Sequence, residues 1–248
     1  MEALAARPPL WLGLDPRPER YPDAAAMRAH LFGLLEALAG VVGGVKPNLA
    51  FFEALGAEGM ELLFALSAYA REKGLPMLFD AKRGDVPSTA KAYAEAYLAR
   101  FPGTAITASP LLGRDALLPF LEAARAHGGM VFVLARTSNP GARDYLELET
   151  ARGPLWRVIL EDLEQLNAEY EGRAGAVVGA THEGALEAAR AVFSGWILAP
   201  GVGAQGGKLR PLEKVIYPVS RRLMYPSGFT DAEESRAEAI RLLEELHK

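Results

Sequence analysis

Residues 76–101 read PMLFDAKRGDVPSTAKAYAEAYLARF. Pro76–Phe79 is short, apolar and ends on Asp80, as a buried strand delivering a charge to its C-terminal end would. From Thr89 to Phe101, the residues Ala90, Tyr93, Ala94, Tyr97, Leu98 and Phe101 fall at i, i+3, i+4, i+7, i+8 and i+11. That spacing marks one face of a helix. The stretch is therefore a strand, a charged turn and a helix, the repeating unit of a parallel α/β fold.

The same alternation runs along the chain. Strand-like runs occupy Leu10–Asp15, Val41–Lys46, Pro76–Phe79, Thr104–Thr107, Met130–Ala135, Ala174–Gly179, Trp196–Ala199 and Val215–Val219. Several are continuously apolar rather than alternating, which marks strands covered on both faces of a parallel sheet. The last helix carries Thr230 and Glu233 at capping-box spacing and closes on Ile240, Leu243 and Leu246. Eight strands and their helices within 248 residues predict a single (β/α)8 TIM barrel over residues 1–248. An open doubly wound sheet is the main rival, because eight strands alone do not prove closure. Ser138–Gly153, Gly201–Pro211 and Tyr225–Thr230 read as loops on one scaffold, with no linker between domains.

Composition narrows the function. The formal net charge is −4, half the residues are apolar and none is cysteine. Disulfide frameworks, thiolate nucleophiles and cysteine-held zinc or iron–sulfur sites are thereby excluded. An acidic chain lacks the positive field of nucleic-acid binders. Met1–Leu10 has neither a basic start nor a long apolar run, and no stretch reaches the length of a membrane helix. The expectation is a cytoplasmic protein acting on a small molecule, with no nucleic-acid or membrane partner.

Barrel enzymes keep their chemistry at the C-terminal ends of strands. Here those ends are charged: Asp15 after the first, Lys46 after the second, then Asp80, Lys82 and Asp85 around the third. Ser138 follows the fifth and Arg221 the eighth. Asp80 and Lys82 are two apart, so along an extended chain they point the same way. Asp85 follows a turn at Gly84, and Lys46 supplies a second ammonium. Carboxylates on either side of an ammonium hold it charged, making it a proton donor and cation rather than a Schiff-base nucleophile. The plainer alternative is an ion-pair network bracing the strand end.

After the seventh strand comes Pro200-Gly201-Val202-Gly203-Ala204-Gln205-Gly206-Gly207. Glycines let backbone N–H groups approach an oxyanion, and this loop of a barrel is a recurring phosphate site. Arg221, just after the eighth strand, can clamp a phosphate on two prongs. Taken alone, the glycines also fit a flexible loop. His30, His127, His182 and His247 show no metal-ligand spacing, and Trp11, Trp156 and Trp196 read as packing.

In this order the residues resemble the orotidine 5′-phosphate decarboxylase family, more closely its bacterial second-type branch. The resemblance runs through nearly the whole chain. It is carried by Leu14-Asp15, Lys46 through Glu53, Asp80-Ala81-Lys82-Arg83-Gly84-Asp85, Thr137 through Gly141, and Pro200 through Gly207. It implies conversion of orotidine 5′-monophosphate to uridine 5′-monophosphate and carbon dioxide, without metal or organic cofactor, in a homodimer of barrels. By the same resemblance, Asp15 and Lys46 contact the ribose, while Asp80 and Lys82 belong to the charged array at the reacting carbon. Asp85 and Thr89 come from the neighbouring subunit. Ser138 meets the pyrimidine, and Pro200, Gly201, Gly203, Gln205 and Arg221 hold the phosphate. Arg221 is chosen over Arg222 because it follows a small residue, Ser220. Lys208 stands where related sequences often carry an acid.

Two rivals follow from the residues. A metal-dependent phosphosugar decarboxylase shares the spacing of Asp80, Lys82 and Asp85, but needs an oxygen-rich metal site where the second strand delivers Lys46. A non-catalytic nucleotide-binding barrel would bind the product without turnover.

Overall fold

The computed structural model describes residues 2–181, 184–202, 206–207, 209–228 and 230–246. Of the residues named above, Met1, His182, Gly203, Ala204, Gln205, Lys208 and His247 lie outside the described set.

Among the described residues, one sheet has eight strands: β1 (Leu10–Leu14), β2 (Val45–Pro47), β3 (Leu78–Arg83), β4 (Ala105–Ala108), β5 (Met130–Arg136), β6 (Ala174–Val178), β7 (Ile197–Leu198) and β8 (Val215–Val219). Their hydrogen-bonded order is β2-β1-β8-β7-β6-β5-β4-β3. Parallel bridges Val45↔Met77 and Asn48↔Asp80 join the two ends of that order. The fold is thus the (β/α)8 barrel rather than the open sheet. The principal helices are α1 (Ala24–Leu38), α2 (Gly56–Glu72), α3 (Pro87–Ala94), α4 (Arg114–His127), α5 (Leu155–Glu169), α6 (Ala185–Arg190), α7 (Arg221–Met224) and α8 (Ala232–Leu246). No helix among the described residues is long and apolar enough to cross a membrane.

The chain divides into two compact units, Met1–Asp80 with Pro218–Lys248, and Ala81–Tyr217. In the first, all five residues of β1 are buried. Leu31, Leu34, Leu35 and Leu38 of α1 are buried with Leu62, Leu63 and Leu66 of α2 and Leu242 of α8. Those positions sit at helical spacing, so each helix commits one stripe to the core. In the second unit, Ile106, Val131, Phe132, Val133, Ala176 and Val178 build the strand layer, with Phe120, Leu121, Leu160 and Leu163 from its helices.

Several boundaries differ from the pattern-based expectation. Residues 41–44 are not strand: the Val41 and Val42 amides bond back to Leu38 O at 3.0 and 3.1 Å, finishing α1 instead. β3 extends past Phe79 to Arg83, so Asp80 and Lys82 lie within the strand rather than after it. The helix expected over residues 89–101 begins at Pro87 and passes at Glu95–Ala99 into a π turn, closed by Arg100 N to Glu95 O at 3.1 Å. Asp231, not Thr230, caps α8, its Oδ1 accepting the Glu233 and Glu234 amides at 2.8 and 3.3 Å. On that helix Leu242 and Leu246 are buried, whereas Ile240 is exposed. Within residues 138–153 the chain forms a helical turn, Ala142–Tyr145, and the first strand of a small antiparallel pair, Glu149–Thr150 with Gly153–Pro154.

Candidate active site

In the first unit, three sequence-selected residues sit on neighbouring strands, Asp15 just after β1, Lys46 within β2 and Asp80 within β3. Leu14 pairs with Pro47 and Gly13 with Lys46 in the β1–β2 register, and Asn48 bridges to Asp80. Lys46 Nζ donates to Asp80 Oδ2 at 2.7 Å, with the two side chains 7% and 12% exposed. An ammonium and a carboxylate this dry are retained only when each satisfies the other. Asp15 follows β1, and its amide donates to Met224 Sδ at 3.1 Å. Its Oδ1 is buried without a hydrogen-bond partner. A buried carboxylate oxygen left open is an acceptor suited to a hydroxyl-bearing ligand.

Arg221 begins α7 directly after Ser220. β8 can approach β1 closely here because residue 13 is glycine: a Cβ there would fall 2.0 Å from Ser220 Oγ. The two arginines separate cleanly. Arg222 Nε donates to Glu238 Oε1 at 2.7 Å, tying α7 to α8. Arg221 is exposed and makes no ion pair with a described residue. Behind α7, the Tyr225 amide bonds to Arg221 O at 3.0 Å. The Tyr21 hydroxyl lies 2.9 Å from His30 Nδ1 and 3.1 Å from the Tyr225 hydroxyl. Burial pushes the His30 imidazole down to about 4, and burial together with the Tyr225 hydroxyl pushes the Tyr21 phenol up.

In the second unit, Lys82 occupies the left-handed region, with φ of +48°. The extended alternation expected from Asp80 to Lys82 therefore does not hold. A non-glycine residue there is strained, and such strain gathers at functional positions. Thr107 Oγ1 accepts the Ala81 and Lys82 amides at 2.9 and 2.8 Å. The Arg83 carbonyl then accepts Ser109 N at 2.8 Å, and the Arg83 guanidinium lies over Tyr93, 5.1 Å from the ring centre. Asp85 Oδ1 accepts the Val86 amide at 2.8 Å. Pro87 opens α3 at its first turn, where a missing N–H does no harm, and sets Thr89 one turn in.

Ser138 is shaped by the loop after β6. A Cβ on Gly179 would lie 2.6 Å from Ser138 Cα, so that position must be glycine for the two loops to pass. Thr181 Oγ1 donates to Ser138 O at 3.1 Å. Arg136, ending β5, pairs with Glu147 at 2.5 Å and lies over the Trp156 ring, 5.5 Å from its centre, pinning the excursion that follows Ser138. In the loop after β7, Pro200 O accepts Ala180 N at 2.8 Å and Gly201 O accepts Gly207 N at 3.1 Å. Gly203 and Gln205 fall outside the described residues. Farther along, Arg210 O accepts the Tyr217 hydroxyl at 2.9 Å, and burial pushes that phenol up to about 12.

Sequence reasoning assigned no role to Thr107, Thr181 or Met224. Thr107 ended a predicted strand, which was a signal for its place but not for its partners. No cluster of histidine and carboxylate groups able to hold a metal occurs among the described residues.

Eight parallel strands alternating with helices, with the buried Lys46–Asp80 pair in the first unit, define an enzyme of the (β/α)8-barrel class. Residues 8–215 match the orotidine 5′-phosphate decarboxylase / HUMPS family. An orotidine 5′-phosphate decarboxylase of Deinococcus radiodurans is 41% identical, over 98% of this chain and 93% of its own. The structure of Leishmania donovani OMP decarboxylase superimposes with a TM-score of 0.84 at 35% identity, covering 99% of this chain and 95% of that one. Leishmania donovani UMP synthase gives 0.86 at 37% identity, and the chain, covered over 99%, spans 54% of that larger protein. The chain belongs to the orotidine 5′-phosphate decarboxylase family.

Proposed function

We infer that the chain converts orotidine 5′-monophosphate to uridine 5′-monophosphate and carbon dioxide, the last step of UMP biosynthesis. It is a carboxy-lyase. Breaking the bond from C6 to the carboxylate leaves an electron pair in an sp² orbital that the pyrimidine cannot delocalise well. The proposed answer is electrostatic: the Lys82 ammonium stabilises that pair and then delivers its proton to C6. Lys82 regains a proton from water. Asp80 and Asp85 orient the ammonium, and Lys46 holds Asp80. This scheme draws on no metal or organic cofactor.

The observation that carries the reading is the buried Lys46–Asp80 pair at 2.7 Å. It speaks against the metal-dependent rival, because a divalent cation at Asp80 would face the Lys46 ammonium at contact distance. Asp15, with its open buried oxygen, is assigned to the ribose together with Lys46. Ser138 is assigned to the pyrimidine, and Pro200, Gly201, Gly203, Gln205 and Arg221 to the phosphate. Binding energy from the phosphate, remote from the breaking bond, then appears in the rate as well as the affinity.

The same reading takes residues 1–248 as one catalytic domain, working in the cytoplasm as a homodimer in which Asp85 and Thr89 serve the partner's site. Two observations support the dimer. Asp85 makes no ion pair with a described residue of its own chain. Val86, Leu111, Leu112, Tyr145 and Leu148 are exposed apolar side chains in the loops after β3, β4 and β5, with Leu111 at 70% and Tyr145 at 71%. Apolar side chains left exposed on these loops are of the kind a partner subunit would cover, which supports this reading.

The direct test follows orotidine 5′-monophosphate absorbance with purified protein in EDTA. Undiminished turnover is expected. Binding of the product without turnover would place the chain with the non-catalytic rival, and loss of activity restored by a divalent cation would favour the metal-dependent one.

A further inference from the structure

We propose that Thr107 is a positioning residue for Lys82, its hydroxyl holding the lysine's backbone in the left-handed conformation from which the side chain departs. Consecutive amides of an extended strand point to opposite sides. The Ala81 and Lys82 amides instead converge on one oxygen, Thr107 Oγ1, at 2.9 and 2.8 Å. Successive N–H groups that converge in this way form a concavity around an electronegative atom. Lys82 is the residue of β3 with positive φ, at +48°. Thr107 is 1% exposed, so the accepting hydroxyl is held in a fixed, packed position. The strand pairing resumes one residue later with Ser109 N to Arg83 O at 2.8 Å, which confines the departure to Ala81 and Lys82.

The consequence is geometric. In an undistorted strand, the direction of the Lys82 side chain would follow from the pleat. Here it follows from a strained φ that persists because its surroundings hold it. The hydroxyl is therefore the chemical group that keeps the ammonium on its line of approach. Valine has the shape of threonine and retains the packing but accepts no hydrogen bond. Serine keeps the oxygen and loses the methyl.

This inference rests on Lys82 as the proton donor, so Lys82→Ala is measured beside it. Thr107→Val is expected to lower kcat about 100-fold or more, the scale for misplacing a reacting group by about 1 Å. KM for orotidine 5′-monophosphate and the affinity for UMP are expected to stay within about threefold, since ligand grip is not what the hydroxyl supplies. Thr107→Ser is expected to restore most of kcat. Equal losses in Thr107→Val and Thr107→Ser, or a fall confined to KM, would overturn the positioning role. If Lys82→Ala is inactive while Thr107→Val has normal kcat, the inference fails and the lysine's role stands. Near-normal turnover in Lys82→Ala removes the donor reading itself. Should Thr107→Val not fold, amide hydrogen exchange on the wild-type protein decides: protection of both Ala81 and Lys82 is required, and rapid exchange at either overturns the proposal.

Discussion

Lys46 Nζ and Asp80 Oδ2 meet at 2.7 Å, with side chains 7% and 12% exposed, so removing the ammonium takes a contact counter-charge away from a nearly dry carboxylate. Lys46→Met should destabilise the protein by about 3–5 kcal/mol, the range for breaking a buried pair from one side. Lys46→Met combined with Asp80→Leu should recover most of that stability and none of the activity. Urea unfolding and turnover measured on wild type, each single variant and the double variant separate the two contributions. Independent, additive stability losses would show that the pair is not coupled.

Lys82 sits at φ +48°, a conformation glycine adopts freely and other residues do not. Lys82→Ala and Lys82→Gly should both lose turnover by many powers of ten, because the proton donor is gone. They should differ in stability, with glycine higher by about 1 kcal/mol through relief of the left-handed strain. A glycine variant less stable than alanine would mean that the backbone at this position is not strained.

How far this architecture was legible from sequence depended on the kind of interaction. The end of β1 was readable because its continuous apolar run stops on a charge, at Leu14-Asp15, whereas β2 and β3 run on past Lys46 and Asp80 to Pro47 and Arg83. The end of α1 was not: Val41 and Val42 look like strand, and only their amide bonds to Leu38 O show that they finish a helix. Thr230 and Asp231 are both good caps, each with a glutamate at a suitable spacing, so local sequence could not choose between them. The π turn at Glu95–Ala99 escaped because one extra residue barely disturbs a 3.6-residue pattern. Thr107 was beyond reach altogether. Its role depends on which strand lies beside β3 and on a backbone angle that no spacing rule encodes.

Arg221 and Arg222 are adjacent but differently engaged. Arg222 is tied to Glu238 at 2.7 Å, and Arg221 is exposed. Arg221→Ala should lower kcat/KM for orotidine 5′-monophosphate by about 3 kcal/mol, the scale of a two-pronged charge-assisted contact, and leave orotidine unaffected. Arg222→Ala should spare catalysis and cost about 1 kcal/mol of stability, because the half-exposed pair to Glu238 is partly screened. The reverse assignment follows if Arg222→Ala, and not Arg221→Ala, discriminates between the two substrates.

His30 contributes a pH dependence to stability. Burial holds its imidazole at about 4, against 6.5 for a free histidine. Tyr21 and Tyr225 face it, and Asp231 acts weakly in the opposite direction. Between those pH values the unfolded chain binds a proton that the folded chain does not. The stability is therefore complete above pH 6.5 and is lost as pH falls toward about 4, by about 3 kcal/mol at most. Carboxylates titrate near the lower limit in any variant, so the useful quantity is the difference between wild type and His30→Phe. Thermal midpoints of the two should draw together as pH drops through this window. Parallel curves would remove His30 as the cause.

The assignment of Asp85 across a subunit boundary can be read from mixed dimers. Lys82→Ala and Asp85→Ala homodimers should each be nearly inactive. If Asp85 acts in the partner's site, a mixed dimer gathers both lesions in one site and leaves the other intact. Random exchange makes about half the dimers mixed, each with one good site, so activity should return to about a quarter of wild type. If Asp85 serves its own chain, both sites of the mixed dimer stay damaged and mixing restores nothing. Tagged chains must first show that subunits exchange. Confirmed exchange with no recovered activity would return Asp85 to its own site, and the exposed Val86, Leu111 and Leu112 would then need another partner.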